Sequence, residues 1–429
     1  MTHTIFSQCL KEEYKIKPCY FTRERKQTFI DLVLFILNMV KKSLQIEING
    51  FNKLLSQIKG LPNHIFTITK SAFVQNRQKL SPGIFKHLLV VLNKEFYTDN
   101  PGNIKLWKGF RLLSIDGSRI TLPITEELKG KYGEHKNQND TGIVQGRCSI
   151  MYDVLNKMVL DGLLAPKDTG ERELALQHLG YCNKNDLIIY DRGYPSFDFI
   201  YEHEQLYLNY LIRCKLSFSE NIKKFVKSGK ATEVINLKPG KNTPLKNKLY
   251  DKSSIIKVRL IRVELDTGET EVLMTSLLDM EKYPNNIFKT LYFKRWKVET
   301  YYDILKNKLQ VENFTGYLEI TIQQDFNAIM FISNLQSLII KEVEEEIKKK
   351  YSGRRYQYKV NNNLSFGFMK NRVIELFLTK KPEMVLKELK KLFIDNVEPI
   401  RPKRKNKRDV DKYRTRKKPI ILKNFKNAI

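Results

Sequence analysis

The sequence predicts an α/β protein: a mixed sheet flanked by helices, preceded by a helical N-terminal domain and interrupted by a β-rich insertion. Three observations carry this. Residues 1–105 place apolar side chains at helical spacing. From residue 110 short β-rich runs bounded by Gly, Asp and Asn take over, and after residue 216 a lysine-rich stretch broken by Gly and Pro interrupts them. At 429 residues and 41% hydrophobic content, the chain can bury more than one sizeable core.

In the N-terminal region, QTFIDLVLFILNMVKKSL carries apolar residues at mixed three and four spacing, and SPGIFKHLLVVLNKEFY opens with Ser81 and Pro82, a helix-start signal. Between them TKSAFVQNRQKL puts Lys70, Arg77 and Lys79 on a short helix. Arg77 and Lys79 are candidates to lie against DNA, with a plain solvated helix as the alternative. Residues 106–215 then run strand, strand, strand, helix, strand, helix, strand, from RLLSIDG through GRCSIMYDVL, KMVLDGLL, GERELALQHL, DLIIYDRG and SFDFIYEHEQ to LNYLIRC. Short links between the first three strands and helices between the rest imply a meander extended by parallel strands. Residues 216–283 form the β-rich insertion, with SIIKVRLIRVEL and ETEVLMTSLLD as alternating strands. The second part of the sheet domain, 284–350, should hold one long helix from Pro284 to Leu309 and another from Thr321 to Lys349. Residues 351–400 read as helical. Residues 401–429 carry 13 Lys and Arg against two Asp and read as a basic tail that binds phosphates without sequence choice.

Seventy-six Lys and Arg against 47 Asp and Glu leave a net charge of +29, which points to a polyanionic partner. Nucleic acid outranks a membrane, because the longest apolar stretch, Thr28 to Val40, is broken by Asp31 and Asn38 and falls short of the ~20 residues a bilayer demands. The N-terminus has no secretory pattern, so a cytoplasmic, nucleoid-associated location is expected. Cys9, Cys19, Cys148, Cys182 and Cys214 are scattered without a CxxC pair, which argues for reduced, mostly buried thiols. The six histidines show no paired spacing, so any metal belongs on carboxylates.

Two predicted neighbouring strands end alike: LLSIDG delivers Asp116 and LIIYDRG delivers Asp191. Each aspartate alone reads equally as a turn residue; together at the same strand ends they suggest a shared cation. In YFKRWKVETYYDILK, Tyr292, Arg295, Glu299, Tyr302 and Lys306 follow at spacings of three, four, three and four, which gathers them on one helical face, while Leu291, Val298 and Leu305 run alongside to bury it. The same face also reads as an intrahelical ion-pair ladder.

Tyr292, Arg295, Glu299 and Lys306 match the Y-(2)-R-(3)-E-(6)-K signature of bacterial insertion-sequence transposases of the IS-four type, members of the DDE group. With DGS at Asp116, DRGY at Asp191 and the SAFVQNRQKL segment, the chain resembles that family over residues 65 to 320 or more. The resemblance implies an RNase H-like core with Asp116, Asp191 and Glu299 as its catalytic acids. It implies two Mg2+ ions, replaceable by Mn2+, and double-stranded DNA (transposon ends and target) as substrate. Staged cleavage and joining at terminal inverted repeats, by a homodimer on DNA, would follow. Arg295, Lys306 and Arg192 are phosphate candidates. Tyr292 either bonds a phosphate, orients the nucleophile or packs against the strands. Members that form a DNA hairpin use an aromatic residue in the insertion to receive a flipped base. Here the tryptophans are Trp107 and Trp296, outside the insertion, leaving Phe225 and Tyr250 as substitutes. Two other function classes remain open: a transposase-derived DNA binder without catalysis, and a stand-alone RNase H-like nuclease. Looking for joined as well as cut products separates all three.

Overall fold

The computed structural model describes residues 2–401 apart from 6, 24, 41, 61–67, 100, 137–141, 242, 244, 246–248 and 266–267. The basic tail therefore lies outside the described residues. In chain order the elements are α1 (Thr2–Ile5), α2 (Gln8–Tyr14), α3 (Phe29–Leu37), α4 (Leu44–Lys59), α5 (Lys70–Arg77), α6 (Gly83–Asp99), β1 (Arg111–Leu122), α7 (Glu126–Tyr132), β2 (Glu134–Lys136), β3 (Gly142–Asp153), β4 (Met158–Pro166), α8 (Glu171–His178), β5 (Asp186–Tyr190), α9 (Phe197–Gln205), β6 (Asn209–Cys214), α10 (Glu220–Lys227), β7 (Thr232–Leu237), β8 (Ile256–Glu264) and β9 (Thr270–Thr275). There follow α11 (Asn286–Phe293), α12 (Trp296–Asp303), a π-helical turn (Ile304–Lys308), α13 (Glu319–Lys350), β10 (Tyr358–Val360), α14 (Asn362–Met369), α15 (Arg372–Leu378), α16 (Pro382–Asp395) and β11 (Val397–Pro399).

These elements form two compact units, a helical one made of residues up to 94, 120–146 and from 303 on, and a sheet unit made of 95–119 and 147–302. In the helical unit the N-terminal helices do not form a body of their own: Leu32, Phe35, Phe51 and Phe73 share one core with Phe331, Ile339, Val373 and Phe393 from the C-terminal helices. The two residues that break the Thr28–Val40 stretch are both put to use. Asp31 closes a capping box with Thr28 at the start of α3 and pairs with Lys59 at 3.3 Å. Asn38 exchanges two hydrogen bonds with Asn371, at 3.0 and 2.7 Å. Among the described residues no helix is long and apolar enough to cross a membrane.

The strand order of the sheet is β2-β3-β1-β5-β6-β9-β8-β7, with β4 pairing β3 off this path. β1, β5 and β6 run parallel, whereas β9, β8 and β7 continue antiparallel from β6. The expected mixed sheet is present, with Asp116 on the first strand and Asp191 directly after β5. The strands of the insertion, however, form no sheet of their own; they lengthen the central one, because β9 gives β6 an antiparallel partner and the alternating apolar run KVRLIRV of β8 pairs with β9 in turn. Behind the sheet, α8 and α9 close a core of Leu113, Ile115, Ile188, Tyr190, Phe199 and Ile212. All five cysteines are free; Cys148 and Cys214 are buried, but Cys9 and Cys19 are exposed.

Candidate active site

β1 and β5 pair in parallel up to Ser114↔Ile189, two residues short of Asp116 and Asp191 on either strand. That shared register delivers both carboxylates to the same strand ends. Asp116 is held by its surroundings: its Oδ1 accepts from the Gly117 N–H at 2.9 Å, and the Tyr302 hydroxyl donates to its carbonyl at 2.7 Å.

The third acid arrives on a helix that differs from the one expected. Instead of one rod from Pro284 to Leu309, the chain tightens at Lys294 and Arg295. There the N–H groups of Lys294, Arg295 and Val298 each bond the carbonyl three residues back, so α11 and α12 are separate. The break drives the Arg295 side chain inward, where it is only 5% exposed. Its guanidinium donates to Glu299 Oε1 at 2.7 Å and stands 3.5 Å from Asp116 Oδ2. It also lies over the Tyr292 and Trp296 rings. One cation thus ties Glu299 to Asp116. Lys306 falls in the π-helical turn, so the regular spacing that aligned it with Glu299 no longer holds.

Asp191 is secured from another side. Arg213 on β6 approaches it at 2.9 Å and also reaches Glu271 on β9 at 2.5 Å, while the buried Tyr292 hydroxyl donates to Asp191 Oδ1 at 3.3 Å. Arg192, exposed beside it, contributes its backbone N–H. The two aspartates consequently titrate apart. Burial pushes the Asp116 carboxyl up to about 6, helped by the charges of Glu299 and Asp191 and opposed by the Gly117 N–H and Arg295. For Asp191 burial acts the same way but is outweighed by the Arg192 N–H, Arg213, Arg295 and Tyr292, so its carboxyl lies below the usual range. Arg213 escaped the sequence reading; its signal was a lone charge in the strand LNYLIRC.

One expected DNA contact, Arg77, has another role. Arg77 is 1% exposed; its guanidinium bonds Gln324 at 2.9 Å, the Thr321 carbonyl at 3.1 Å, Asp325 at 2.9 Å and the Thr315 hydroxyl. It is a core tie between α5 and the start of α13, out of reach of a phosphate. Lys79 lies past the end of α5, donates to Asn76 at 2.8 Å and lines a cavity of about 710 Å3 with Lys11, Tyr20, Arg23 and Arg25. The aromatic substitutes fail as base acceptors where they stand, since Phe225 and Tyr250 are 1% and 5% exposed within the sheet unit's core.

Among the described residues no three acids, histidines or cysteines are gathered closely enough to hold a metal ion as they stand. The donor chemistry nevertheless fits a hard divalent cation. Asp116 and Glu299 share the Arg295 guanidinium and Asp191 is held by Arg213, an all-oxygen set of carboxylate donors with cationic neighbours.

The site thus consists of two aspartates at neighbouring strand ends and, tied to Asp116 through Arg295, a glutamate from a helix beyond the inserted strands. The family described as the transposase DDE domain matches residues 107–335, more than half of the chain, and the chain belongs to that family. It is similar to Transposase InsG for insertion sequence element IS4 of Escherichia coli (strain K12), 22% identical over 330 residues that cover 74% of this chain and 70% of that one. Among solved structures, the cryo-EM structure of the piggyBac transposase synaptic complex with hairpin DNA aligns with a TM-score of 0.41 and 9% identity, over 91% of this chain and 79% of that one. A member of that family is a DNA transposase, an enzyme that cleaves and joins DNA strands, and the family implies dependence on a divalent metal.

Proposed function

We propose that this transposase cuts at the terminal inverted repeats of an insertion sequence and joins the freed ends to target DNA at the nucleoid, using Asp116, Asp191 and Glu299 to hold two Mg2+ ions, with Mn2+ able to substitute. The observation that carries the reading is the single guanidinium of Arg295 lying between Asp116 and Glu299, beside an Asp191 held by Arg213. Acids that far apart in sequence gain nothing structurally from being brought together and then neutralised.

Asp116 would serve both ions, with Asp191 and Glu299 each completing one site. Bound there, such ions supply an activated water or 3′-hydroxyl and stabilise charge on the phosphorus and the leaving oxygen. The remaining work falls to the chain itself. Arg295, planar and able to bond two oxygens at once, takes the scissile phosphate; Lys306, as a point charge, and the exposed Arg192 take neighbouring phosphates. Tyr292 keeps Asp191 in position through its hydroxyl. Pairing two transposon ends calls for a homodimer on DNA.

Glu299→Gln removes a ligand charge without changing shape. Cleavage and joining of labelled transposon ends in Mg2+ should fall by at least about a thousandfold, the scale of losing a group acting only in the transition state, while end binding by gel shift stays near wild type. Strand cleavage retained in that variant would overturn the assignment.

A further inference from the structure

Glu171, the first residue of α8, belongs to none of the roles assigned above, yet its carboxylate lies against the backbone just past both aspartates. A Cβ added at Gly117 would stand 3.3 Å from its Oε1, and one at Gly193 would stand 4.0 Å from its Oε2. At Gly117 the missing Cβ leaves the close room the glutamate occupies, whereas at Gly193 a Cβ would only touch it. The approach is fixed by the helix that carries it. At the far end of α8 the buried His178 has its Nδ1 2.8 Å from Asp161 on β4 and its Nε2 3.0 Å from Ser149 on β3. At the near end Arg147 holds Glu171 Oε1 at 3.1 Å and donates through Nε to the Lys167 carbonyl at 3.0 Å. Beside the pair a cavity of about 710 Å3 opens, walled also by Arg172, Gly193 and Ser196.

An independent observation concerns Tyr194 of the DRGY segment. Its ring packs against Tyr190 and Phe199, and the residue is 1% exposed, but among the described residues its hydroxyl has no hydrogen-bond partner. Burying a phenol without an acceptor costs about 1–3 kcal/mol, so such groups ordinarily find one. The charges that bear on this hydroxyl are those of Asp116, Glu171, Asp191 and, with opposite sign, Arg295. The orphan donor therefore sits within the field of the catalytic acids and of Glu171 together.

We propose that Glu171 is a fourth carboxylate of the catalytic centre, restrained by Arg147, and that the Tyr194 hydroxyl donates to a water held between Glu171 and the two aspartates. This rests on the reading of Asp116, Asp191 and Glu299 as cation ligands. Both residues are positioning residues: Glu171 adds negative charge and a water acceptor behind the ligands, and Tyr194 fixes that water's orientation.

The test titrates full-length protein with Mn2+ and counts free ion by electron paramagnetic resonance, with thermal unfolding run on each variant. Glu171→Gln should weaken Mn2+ binding roughly tenfold, as loss of an outer partner does, at an unchanged unfolding temperature. Arg147→Gln, which frees the glutamate, should tighten it. Tyr194→Phe, which keeps the ring, should weaken it by less than Glu171→Gln. Unchanged Mn2+ affinity in Glu171→Gln and Arg147→Gln, alongside weakened binding in Glu299→Gln, overturns the fourth carboxylate and leaves the triad standing. Unchanged affinity in Glu299→Gln as well overturns the triad itself.

Discussion

Arg295 shows how one side chain serves two states. Without metal it offsets Asp116 and Glu299, and its inward course follows from the tightened turn at Lys294. Despite that neighbour, the Asp116 carboxyl is raised from 3.8 to about 6, mainly by burial. A carboxyl raised in the folded state binds more protons there than in the unfolded chain across that window. Metal-free stability should therefore fall as pH rises from about 4 to about 6 and stay at the lower level above it. Asp116→Asn should abolish that step: at about pH 8 without metal the variant should unfold at a higher temperature than wild type, and at about pH 4 at the same one. Thermal melts in chelator at the two pH values check this, and equal wild-type and variant melts at the higher pH would count against it.

At the scale of elements, α5 illustrates why a helix can be legible while its role is not. Its existence and its cap, Thr69 accepting from Ala72, follow from TKSAFVQNR. Its basic residues looked like a DNA face because charge in a sequence carries no direction; Asp325 and Gln324, which claim Arg77, lie nearly 250 residues away. Removing the arginine should act on the fold. Arg77→Ala strands a buried carboxylate and should lower stability by about 3–5 kcal/mol, read from denaturant melts, while DNA affinity of the folded protein keeps its salt dependence. The helix bearing Glu299 repeats the lesson. The spacing of Tyr292, Arg295 and Glu299 was enough to find the site, but the break before Trp296 and the π-helical turn after Asp303 come from packing that periodicity does not record. Arg213 was missed for the same reason, since only strand pairing sets it beside Asp191.

For the whole molecule, the +29 charge is the most legible property and the least local. Its densest segment, from Arg401 on, should act as a diffuse phosphate binder. Truncation after Ile400 should weaken DNA binding and flatten the slope of log affinity against log salt without changing which ends are chosen. An unchanged slope in filter binding across a salt series would refute the role. Core strands could be read from sequence because each is a short apolar run with a clear boundary. The order in which they pair beyond β6 could not, because SIIKVRLIRVEL fits an independent domain as well as a continued sheet. A descendant trimmed of residues 216–283 would not be a leaner version of this enzyme, because the flank of β6 would lie bare as a template for self-association and Arg213 would lose Glu271 in the same stroke. Excising the segment would mean replacing a neighbouring strand and a counter-charge together, so the stretch is part of the sheet's frame and does not lift out as a cassette.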